Sequence, residues 1–276
     1  MKPKLLLMED FDNLQAKKRL SEHVDFVSRE TVKWDENIIG AYTKLDTFYF
    51  HEDDYRWVPN FKFVATPCTG TDHIVLPKRY KLIYLDQDFK CGVGRQITST
   101  AEHTLSLMLQ LAKKKKMQLS GKTVGIIGCG RIGSEVSEYC FALGMNLKMI
   151  DAWDDYFVSR ETLIKESDVI SIHVPLNKDT KGMIGERELS MMKDGVMIIN
   201  TSRQEVINVS DLLDAINVDK KEIYYADDFK NEYELSGWNF LQTPHIGGNC
   251  QEARMITDDY IVDKIIEEVK GGKIND

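Results

Sequence analysis

KTVGIIGCGRIG at residues 122–133 is the stretch that decides the fold. Its apolar run Thr123–Ile127 predicts a short β-strand, and three glycines spaced G-x-G-x-x-G follow at once. Beyond them, apolar residues recur at the spacing of one helical face, namely Val136, Tyr139, Cys140 and Leu143. The stretch therefore predicts a strand, a tight turn and a helix in immediate succession.

The three glycines predict a dinucleotide-binding turn. Gly128 permits the tight turn, Gly130 lets the backbone approach a pyrophosphate, and Gly133 lets the helix pack closely on the strand. The helix N-terminus then presents N–H groups to the phosphates. A second strand ends eighteen residues after Gly133 in Asp151, whose carboxylate would accept hydrogen bonds from ribose hydroxyls and repel a 2′-phosphate. We therefore expect NAD as the cofactor, in preference to NADP.

Outward from this stretch, strands alternate with helical segments. One series of β-branched and apolar runs lies at residues 4–8, 37–40, 61–65 and 81–84, and a second at residues 123–127, 146–150, 168–172, 196–200 and 223–226. Apolar strands joined by helices predict doubly wound parallel sheets, so we expect two α/β domains with a boundary near residues 90–100. A closing helix with one buried face is predicted at residues 252–270 from Met255, Ile256, Val262, Ile265, Ile266 and Val269.

Composition and charge exclude several classes of function. The 36 basic and 44 acidic residues give a formal charge of −8, which argues against nucleic acid or an anionic membrane as the main partner. No apolar stretch approaches the roughly 20 residues of a membrane span. The five cysteines are scattered without C-x-x-C spacing, which favours reduced thiols in a cytoplasmic protein over a disulfide frame or a zinc site.

A cation, a carboxylate and a histidine stand after the later strands. Arg203 follows VMIIN, Glu232 follows IYYA, and His245 lies in TPHIGG just downstream. Ligands of doubly wound sheets bind beyond the carboxyl ends of the strands, where these side chains are expected. Reduction of a 2-oxoacid needs an Arg fork for the carboxylate, a His that delivers a proton and an acid that favours the protonated His. Each residue type alone is commonly solvated or structural, so the prediction depends on their joint order behind the glycine turn.

Six motifs are spread along most of the chain. They are FVATPCTGTDHI (63–74), STAEHTLSLMLQLA (99–112), KTVGIIGCGRIG (122–133), HVPLNKDTKGMI (173–184), MIINTSR (197–203) and TPHIGGNCQEA (243–253). Together they resemble the D-isomer-specific 2-hydroxyacid dehydrogenase family. The resemblance implies a flavodoxin-like substrate domain at residues 1–95 and 251–276, and a Rossmann-type NAD-binding domain at residues 96–250. It also implies hydride transfer between nicotinamide and C2 of a small 2-hydroxy or 2-oxo acid of the D configuration.

The same resemblance implies roles for individual residues. Arg203 would bind the substrate carboxylate, His245 would be the general acid/base, and Glu232 would support it. The backbone at Thr69 and Gly70 would bind the substrate carboxylate. Asp227, which belongs to the cofactor set below, would contact the nicotinamide carboxamide. The expected cofactor set is Gly128, Gly130, Arg131, Ile132, Gly133, Asp151, His173, Pro175, Thr180, Thr201, Arg203, Asp227, His245 and Gly247.

Departures from the family pattern bear on assembly and substrate. Most members carry a longer segment, which takes part in dimerisation, in place of the linker at residues 113–122, so the sequence leaves the usual homodimer open. The short linker and GTDH at residues 70–73 resemble the 4-phosphoerythronate dehydrogenase branch. That branch, however, has a phosphate-gripping Arg-Ser where this chain has Gly40 and Ala41. We therefore expect a substrate that is unphosphorylated or held differently.

Three alternatives remain open. Formate dehydrogenases resemble this family but carry Gln in place of Glu232, and an acid there favours proton transfer to an alkoxide. A non-catalytic NAD(H)-sensing protein on the same fold is disfavoured by the retained Arg, Glu and His. It stays open because Gln204 and Tyr233 replace the Gly and Pro that usually follow the catalytic Arg and Glu. A 4-phosphoerythronate dehydrogenase-like enzyme is the third alternative.

Overall fold

The protein divides into two compact α/β units. The computed structural model describes residues 2–30, 35–44, 58–71, 73–151, 158–229, 237 and 239–271. One unit is Met1–Ile97 together with Cys250–Asp276, and the other is Thr98–Asn249. No helix in these described ranges is long and apolar enough to cross a membrane.

The first unit is built on a five-stranded parallel sheet. Its strands are β1 (Lys4–Leu7), β2 (Asp25–Ser28), β3 (Ile38–Tyr42), β4 (Phe63–Ala65) and β5 (Lys81–Ile83), and its helices are α1 (Leu14–Ser21), α2 (Gln87–Cys91) and α8 (Gln251–Gly271). The strand order β2-β1-β3-β4-β5 is that of flavodoxin-like folds, as predicted. A short 3₁₀ turn at Val93–Gln96 ends the first segment of this unit.

Helix α8 confirms the predicted closing helix, and its buried face departs from the predicted one at Met255. Val262 and Ile265 are buried as expected, whereas Met255 is 41% exposed. The buried face centres on Ile261 and on an acidic residue, Asp258, which an apolar pattern does not reveal. The remaining predicted positions Ile256, Ile266 and Val269 are half-buried at the edge of the cluster.

The buried Asp258 ties α8 into the first unit. Its carboxylate accepts a hydrogen bond from the Tyr42 hydroxyl at 2.7 Å and from the N–H groups of Asp12 and Asn13 at 2.8 Å each. Asn13 is in turn the N-cap of α1, where its side chain accepts from the first-turn N–H groups. A buried carboxylate is tolerated because these donors satisfy it.

The second unit is built on a six-stranded parallel sheet. Its strands are β6 (Thr123–Ile127), β7 (Asn146–Ile150), β8 (Val169–Ile172), β9 (Val196–Asn200), β10 (Ile223–Asp227) and β11 (Phe240–Gln242), in the order β7-β6-β8-β9-β10-β11. Its helices are α3 (Ser99–Lys114), α4 (Arg131–Ala142), α5 (Arg160–Glu166), α6 (Glu186–Met191) and α7 (Val209–Asn217). Every residue of β8, β9 and β10 is buried, as expected for strands of a sheet covered on both faces.

Helix α4 follows the glycine turn, as predicted. Val136 and Cys140 on its apolar face are buried, and Tyr139 is half-buried. Leu143 is 37% exposed, contrary to the predicted pattern, because it is the C-cap residue and lies beyond the last turn.

The carboxyl ends of the parallel strands lie at one edge of the second sheet. Chain order reverses between β6 and β8, which pair with each other although β7 lies between them in sequence. Loops leaving the carboxyl ends of β6 and β8 therefore diverge and open a crevice there, which is where ligands of such sheets bind.

Candidate active site

The turn between β6 and α4 has the geometry that its three glycines predict. Gly128 has φ +96°, and a Cβ built on it would lie 2.5 Å from the carbonyl oxygen of His173. A Cβ on Gly133 would lie 1.9 Å from the Gly128 carbonyl oxygen, so a side chain there would push α4 away from β6. Within the described chain, a Cβ on Gly130 would have no heavy atom within 4 Å. The first and third glycines are required by the fold, whereas the second borders open space.

Helix α4 begins beside that open space. Gly130 is its N-cap residue, and none of the described side chains caps its first turn. N–H groups at a helix N-terminus bind anions, and the space at Gly130 leaves room for one. Arg131 and Ile132 follow, both half-buried; burial lowers the pKa of Arg131, while Ile132 packs against the core. This turn therefore fits a pyrophosphate.

Asp151 directly follows β7 and lies beside the same turn. Its Oδ2 accepts a hydrogen bond from the N–H of Cys129 at 3.3 Å, and the Gly128 N–H donates to the Ile150 carbonyl at 2.9 Å. The two segments are adjacent because β6 and β7 pair in parallel. This placement of a half-buried carboxylate supports the prediction that it accepts hydrogen bonds from ribose hydroxyls.

The segment after β8 continues the same edge. His173 donates its backbone N–H to the Ile127 carbonyl at 2.7 Å, and its Nε2 lies 2.8 Å from the Ser171 hydroxyl. Burial lowers the pKa of the His173 imidazole, which is therefore neutral at neutral pH. Further on, the Thr180 hydroxyl donates to the Pro175 carbonyl at 2.6 Å and closes that loop on itself. Of the predicted cofactor residues here, His173 borders the glycine turn directly.

A buried asparagine shapes the turn that carries Arg203. The Asn200 side chain accepts from the Ser202 N–H at 3.1 Å and hydroxyl at 2.8 Å, and donates to the Arg203 carbonyl at 2.9 Å. Arg203 is half-buried, and its Nη1 donates to the Ser202 carbonyl at 2.9 Å. The Thr201 hydroxyl lies 2.8 Å from that of Thr104 on α3. The guanidinium is thus held just beyond the carboxyl end of β9.

Two consecutive aspartates at the end of β10, Asp227 and Asp228, have different partners. Asp227 is fully buried, and its two oxygens lie 3.2 and 3.4 Å from the Gln242 side-chain nitrogen, which donates to them. A contact between Asp227 and the nicotinamide carboxamide stays a prediction, since the structure gives this carboxylate a protein partner. The next residue, Asp228, is 4% exposed and belongs to a separate network.

Asp228 holds the turn at residues 243–247. It accepts hydrogen bonds from the Thr243 hydroxyl at 2.7 Å and from the N–H groups of Ile246 at 2.8 Å and Gly247 at 2.6 Å. Burial alone would raise the pKa of this carboxyl, but the nearby His103 imidazole and the hydrogen bonds from the hydroxyl and the two N–H groups lower it to about 2. The predicted cofactor residue Gly247 is buried, with its N–H engaged by Asp228.

His245 stands in this turn in the left-handed backbone region, with φ +61°. Its N–H donates to the Thr243 carbonyl at 3.0 Å, and its half-buried ring meets the ring of Phe229 edge-on, 6.5 Å between centroids. This conformation costs a non-glycine residue on the order of 1 kcal/mol and persists only where the surroundings enforce it. His103 on α3 adds support, with Nε2 2.8 Å from the Thr243 hydroxyl and 3.6 Å from Asp228.

Two members of this network, Asp228 and His103, are not among the predicted site residues. Side chains of successive strand residues point to opposite faces, so the pair Asp227-Asp228 at a strand end could have indicated two different sites. The N–H groups after Pro244 also need acceptors, which the sequence around TPHIGG does not supply.

Thr69, Gly70 and Glu232 are also among the predicted residues. Thr69 and Gly70 follow β4 in the first unit, and Thr69 is exposed. Glu232 and Tyr233 fall outside the described residues. The remaining predicted residues lie at or beyond the carboxyl ends of strands of the second sheet.

The chain is similar in sequence and in fold to known dehydrogenases and reductases. Residues 93–247, more than half of the chain, match the family described as D-isomer specific 2-hydroxyacid dehydrogenase, NAD binding domain. The chain is 31% identical to a glyoxylate reductase of Thermococcus litoralis, over 77% of this chain and 75% of that protein. It is 34% identical to a hydroxypyruvate reductase of Thermotoga maritima, over 76% of this chain and 78% of that protein.

Other relatives are longer. A D-3-phosphoglycerate dehydrogenase of Archaeoglobus fulgidus is 30% identical over 88% of this chain but only 51% of its own length. The chain spans about half the length of several curated relatives that it matches. The fold is shared with the structure of a D-lactate dehydrogenase of Aquifex aeolicus complexed with NAD and lactic acid, with a TM-score of 0.81, 23% identity and coverage of 97% of this chain and 96% of that one. The chain thus belongs to the D-isomer specific 2-hydroxyacid dehydrogenase family and carries its NAD-binding domain in the second unit.

Proposed function

We propose that this protein is an NAD-dependent oxidoreductase that transfers a hydride between nicotinamide and C2 of a small 2-hydroxy or 2-oxo acid of the D configuration. The proposal depends on one observation. The candidate groups all follow the carboxyl ends of strands in a single parallel sheet. The open glycine turn follows β6, Asp151 follows β7, Arg203 follows β9 and His245 follows β11. The two relatives named as glyoxylate and hydroxypyruvate reductases support a small 2-oxoacid as the substrate class.

Each protein group has a task in the reaction. NADH, when bound, supplies the hydride that reduces the carbonyl carbon. The planar guanidinium of Arg203 binds the substrate carboxylate through two parallel hydrogen bonds. The His245 imidazolium donates a proton to the carbonyl oxygen, and in the oxidation direction the neutral imidazole takes that proton back. Glu232, outside the described residues, is proposed to favour the protonated imidazole and orient it.

The first unit supports a substrate without a phosphate. Gly40 and Ala41, where the 4-phosphoerythronate dehydrogenase branch carries Arg-Ser, lie inside β3. Ala41 is fully buried, and a Cβ on Gly40 would lie 2.7 Å from the Phe63 ring. Lys44, the next basic residue along the chain, is paired with Asp12 at 2.7 Å. None of these positions offers an unpaired cation to a phosphate, so we propose that the carboxylate is the group by which the substrate is held.

The test is NADH oxidation, followed by absorbance, with a panel of 2-oxoacids. The panel contains glyoxylate, pyruvate, hydroxypyruvate, 2-oxoglutarate, branched, aromatic and phosphorylated oxoacids. We expect turnover with one unphosphorylated class and much weaker turnover with its phosphorylated analogue. If the protein binds NADH but reduces none of these acids and does not oxidise formate with NAD⁺, the proposal is contradicted. That result would support an NAD(H)-sensing protein.

A matched pair of variants tests the assignment of the general acid. His245→Gln is expected to lower kcat by roughly 10²–10⁴, with NADH binding little changed. His23→Gln, in the first unit between α1 and β2, removes a histidine outside the candidate site and should leave kcat unchanged. Equal turnover in the His245 variant would show that another group delivers the proton.

A further inference from the structure

We infer that Asp228 is a positioning residue for His245: its buried carboxylate fixes the backbone of the turn at residues 243–247 and so sets where the imidazole stands. The kinetic consequence of this role rests on the proposed function, whereas its structural consequence does not. We assign this role because the Asp228 carboxylate contacts residues of the turn both before and after His245.

Both oxygens of Asp228 are engaged by that turn. Oδ1 accepts from the Thr243 hydroxyl at 2.7 Å and the Ile246 N–H at 2.8 Å, and Oδ2 accepts from the Gly247 N–H at 2.6 Å. Donors on both sides of His245 therefore converge on one side chain. Because Asp228 is 4% exposed and these donors occupy its carboxylate, it acts through the turn and is not placed to exchange a proton with a substrate.

These contacts restrain the backbone conformation of His245. The two N–H groups belong to the residues that directly follow it, so their common acceptor fixes the direction in which the chain leaves His245. That direction belongs to the left-handed conformation with φ +61°. Without the carboxylate, the turn loses the acceptor that favours this conformation, and the imidazole is free to move with the backbone.

Two neighbours make the arrangement specific for an aspartate. A Cβ on Gly247 would lie 2.8 Å from Asp228 Oδ2, so only glycine lets the carboxylate approach. The one proton of the Thr243 hydroxyl faces two acceptors, Asp228 Oδ1 at 2.7 Å and the Asp227 carbonyl at 3.2 Å, so the hydroxyl accepts from His103 Nε2 at 2.8 Å. An asparagine at 228 would present an NH₂ group to an N–H or hydroxyl donor in place of one carboxylate oxygen.

The experiment compares Asp228→Asn with Asp168→Asn. Asp168 also accepts a backbone N–H, that of Thr123 at 2.8 Å, but it precedes β8 at the opposite edge of the same sheet. We expect Asp228→Asn to lower kcat by about 10²-fold, the effect of a small misplacement of a reacting group, with KM and NADH affinity little changed. Asp168→Asn should leave kcat unchanged. A purely structural role for Asp228 would lower stability without this separation of kcat from KM.

Two further measurements keep the outcome decisive. Hydrogen exchange of the Gly247 amide and the NMR chemical shifts of the His245 imidazole should both change in Asp228→Asn and not in Asp168→Asn. If Asp228→Asn does not fold, Thr243→Val, which removes one of the three donors, should show the same loss of kcat in milder form. Unchanged kcat in a folded Asp228→Asn overturns the inference.

Failure of the proposed function would be recognised separately. In that case the unmodified protein reduces no 2-oxoacid, and the NMR measurements alone decide whether Asp228 positions His245. Imidazole shifts identical in the unmodified protein and in Asp228→Asn would then overturn the inference.

Discussion

Alanine substitutions at Gly130 and Gly133 separate cofactor binding from packing in the glycine turn. The backbone at Gly130 has φ −69° and ψ −167°, which alanine can adopt, and within the described residues its Cβ would meet no heavy atom within 4 Å. We therefore expect Gly130→Ala to change the free energy of unfolding by no more than about 0.5 kcal/mol. The new methyl group would instead occupy the space in front of the α4 N-terminus. Loss of one charge-assisted hydrogen bond there costs about 1.5–3 kcal/mol, which raises the Kd for NADH by roughly 10–10²-fold.

Gly133→Ala is expected to behave differently. Alanine improves helix propensity by about 1 kcal/mol, but its Cβ would lie 1.9 Å from the Gly128 carbonyl oxygen. A backbone atom cannot rotate away as a side chain can, so α4 must shift relative to β6. Overpacking costs about 1–3 kcal/mol, and with a contact this short we expect the upper end, a net destabilisation of about 2 kcal/mol. NADH binding should weaken as well, because the N–H groups of α4 move with the helix.

The assay combines urea unfolding, followed by far-UV circular dichroism, with fluorescence titration of NADH. Gly248→Ala serves as the control, since its Cβ would make only an ordinary 3.8 Å contact with the Thr100 hydroxyl. Undiminished NADH affinity in Gly130→Ala would refute the assignment of the open space to the pyrophosphate. Full stability of Gly133→Ala would refute the close packing of α4 on β6.

Three further predictions concern carboxylates. Asp151→Ala should lower the ratio of kcat/KM with NADH to kcat/KM with NADPH. If this ratio does not change, Asp151 does not contact the ribose. Asp258→Ala leaves the Tyr42 hydroxyl and two N–H groups without their acceptor, so it should destabilise the first unit in urea unfolding by about 1–3 kcal/mol for each donor left unsatisfied. The exposed Asp263→Ala is its control, and equal midpoints would contradict the prediction. Because the folded-state pKa of Asp228 is lowered to about 2, its stabilisation is present above about pH 4 and lost as the pH falls towards 2. Asp228→Asn should therefore flatten the acid side of a plot of unfolding free energy against pH.

The central strands could be predicted from the sequence because both faces of them are covered. VMIIN and IYYAD are buried at every position, and the runs of apolar and aromatic residues that precede Asn200 and Asp227 are unbroken. The strands β2 and β11 were not predicted, and both are edge strands. β2 has exposed polar residues at both ends and β11 has three half-buried residues, so pairing with β1 and β10 defines them more than their own composition does.

Helix α8 shows a second limit of sequence patterns. The period of apolar residues located the helix, but its buried face includes Asp258, whose partner Tyr42 lies 216 residues away in the chain. The cost of burying a carboxylate depends on donors that only the folded chain brings together. An apolar pattern treats such a position as exposed, and the predicted face shifts towards Met255, which is in fact open to solvent.

The same reasoning explains which site residues the sequence could locate. Arg203 follows a predicted apolar strand, and the rule that ligands bind beyond the carboxyl ends of parallel strands places it without any contact being known. His245 follows β11, which the sequence did not predict, so the sequence located it only as lying downstream of the predicted strands. The groups that hold them are buried and polar: Asn200 for the turn of Arg203, and Asp228 for the turn of His245. A buried polar side chain is retained only where it satisfies backbone donors or acceptors, so each marks a place where the backbone is held in one conformation. A buried polar residue at the end of a buried strand, or directly after it, is therefore a candidate support for the reacting residue beyond it. Since such a support contacts the backbone of the reacting residue and not the ligand, its replacement should change kcat more than KM.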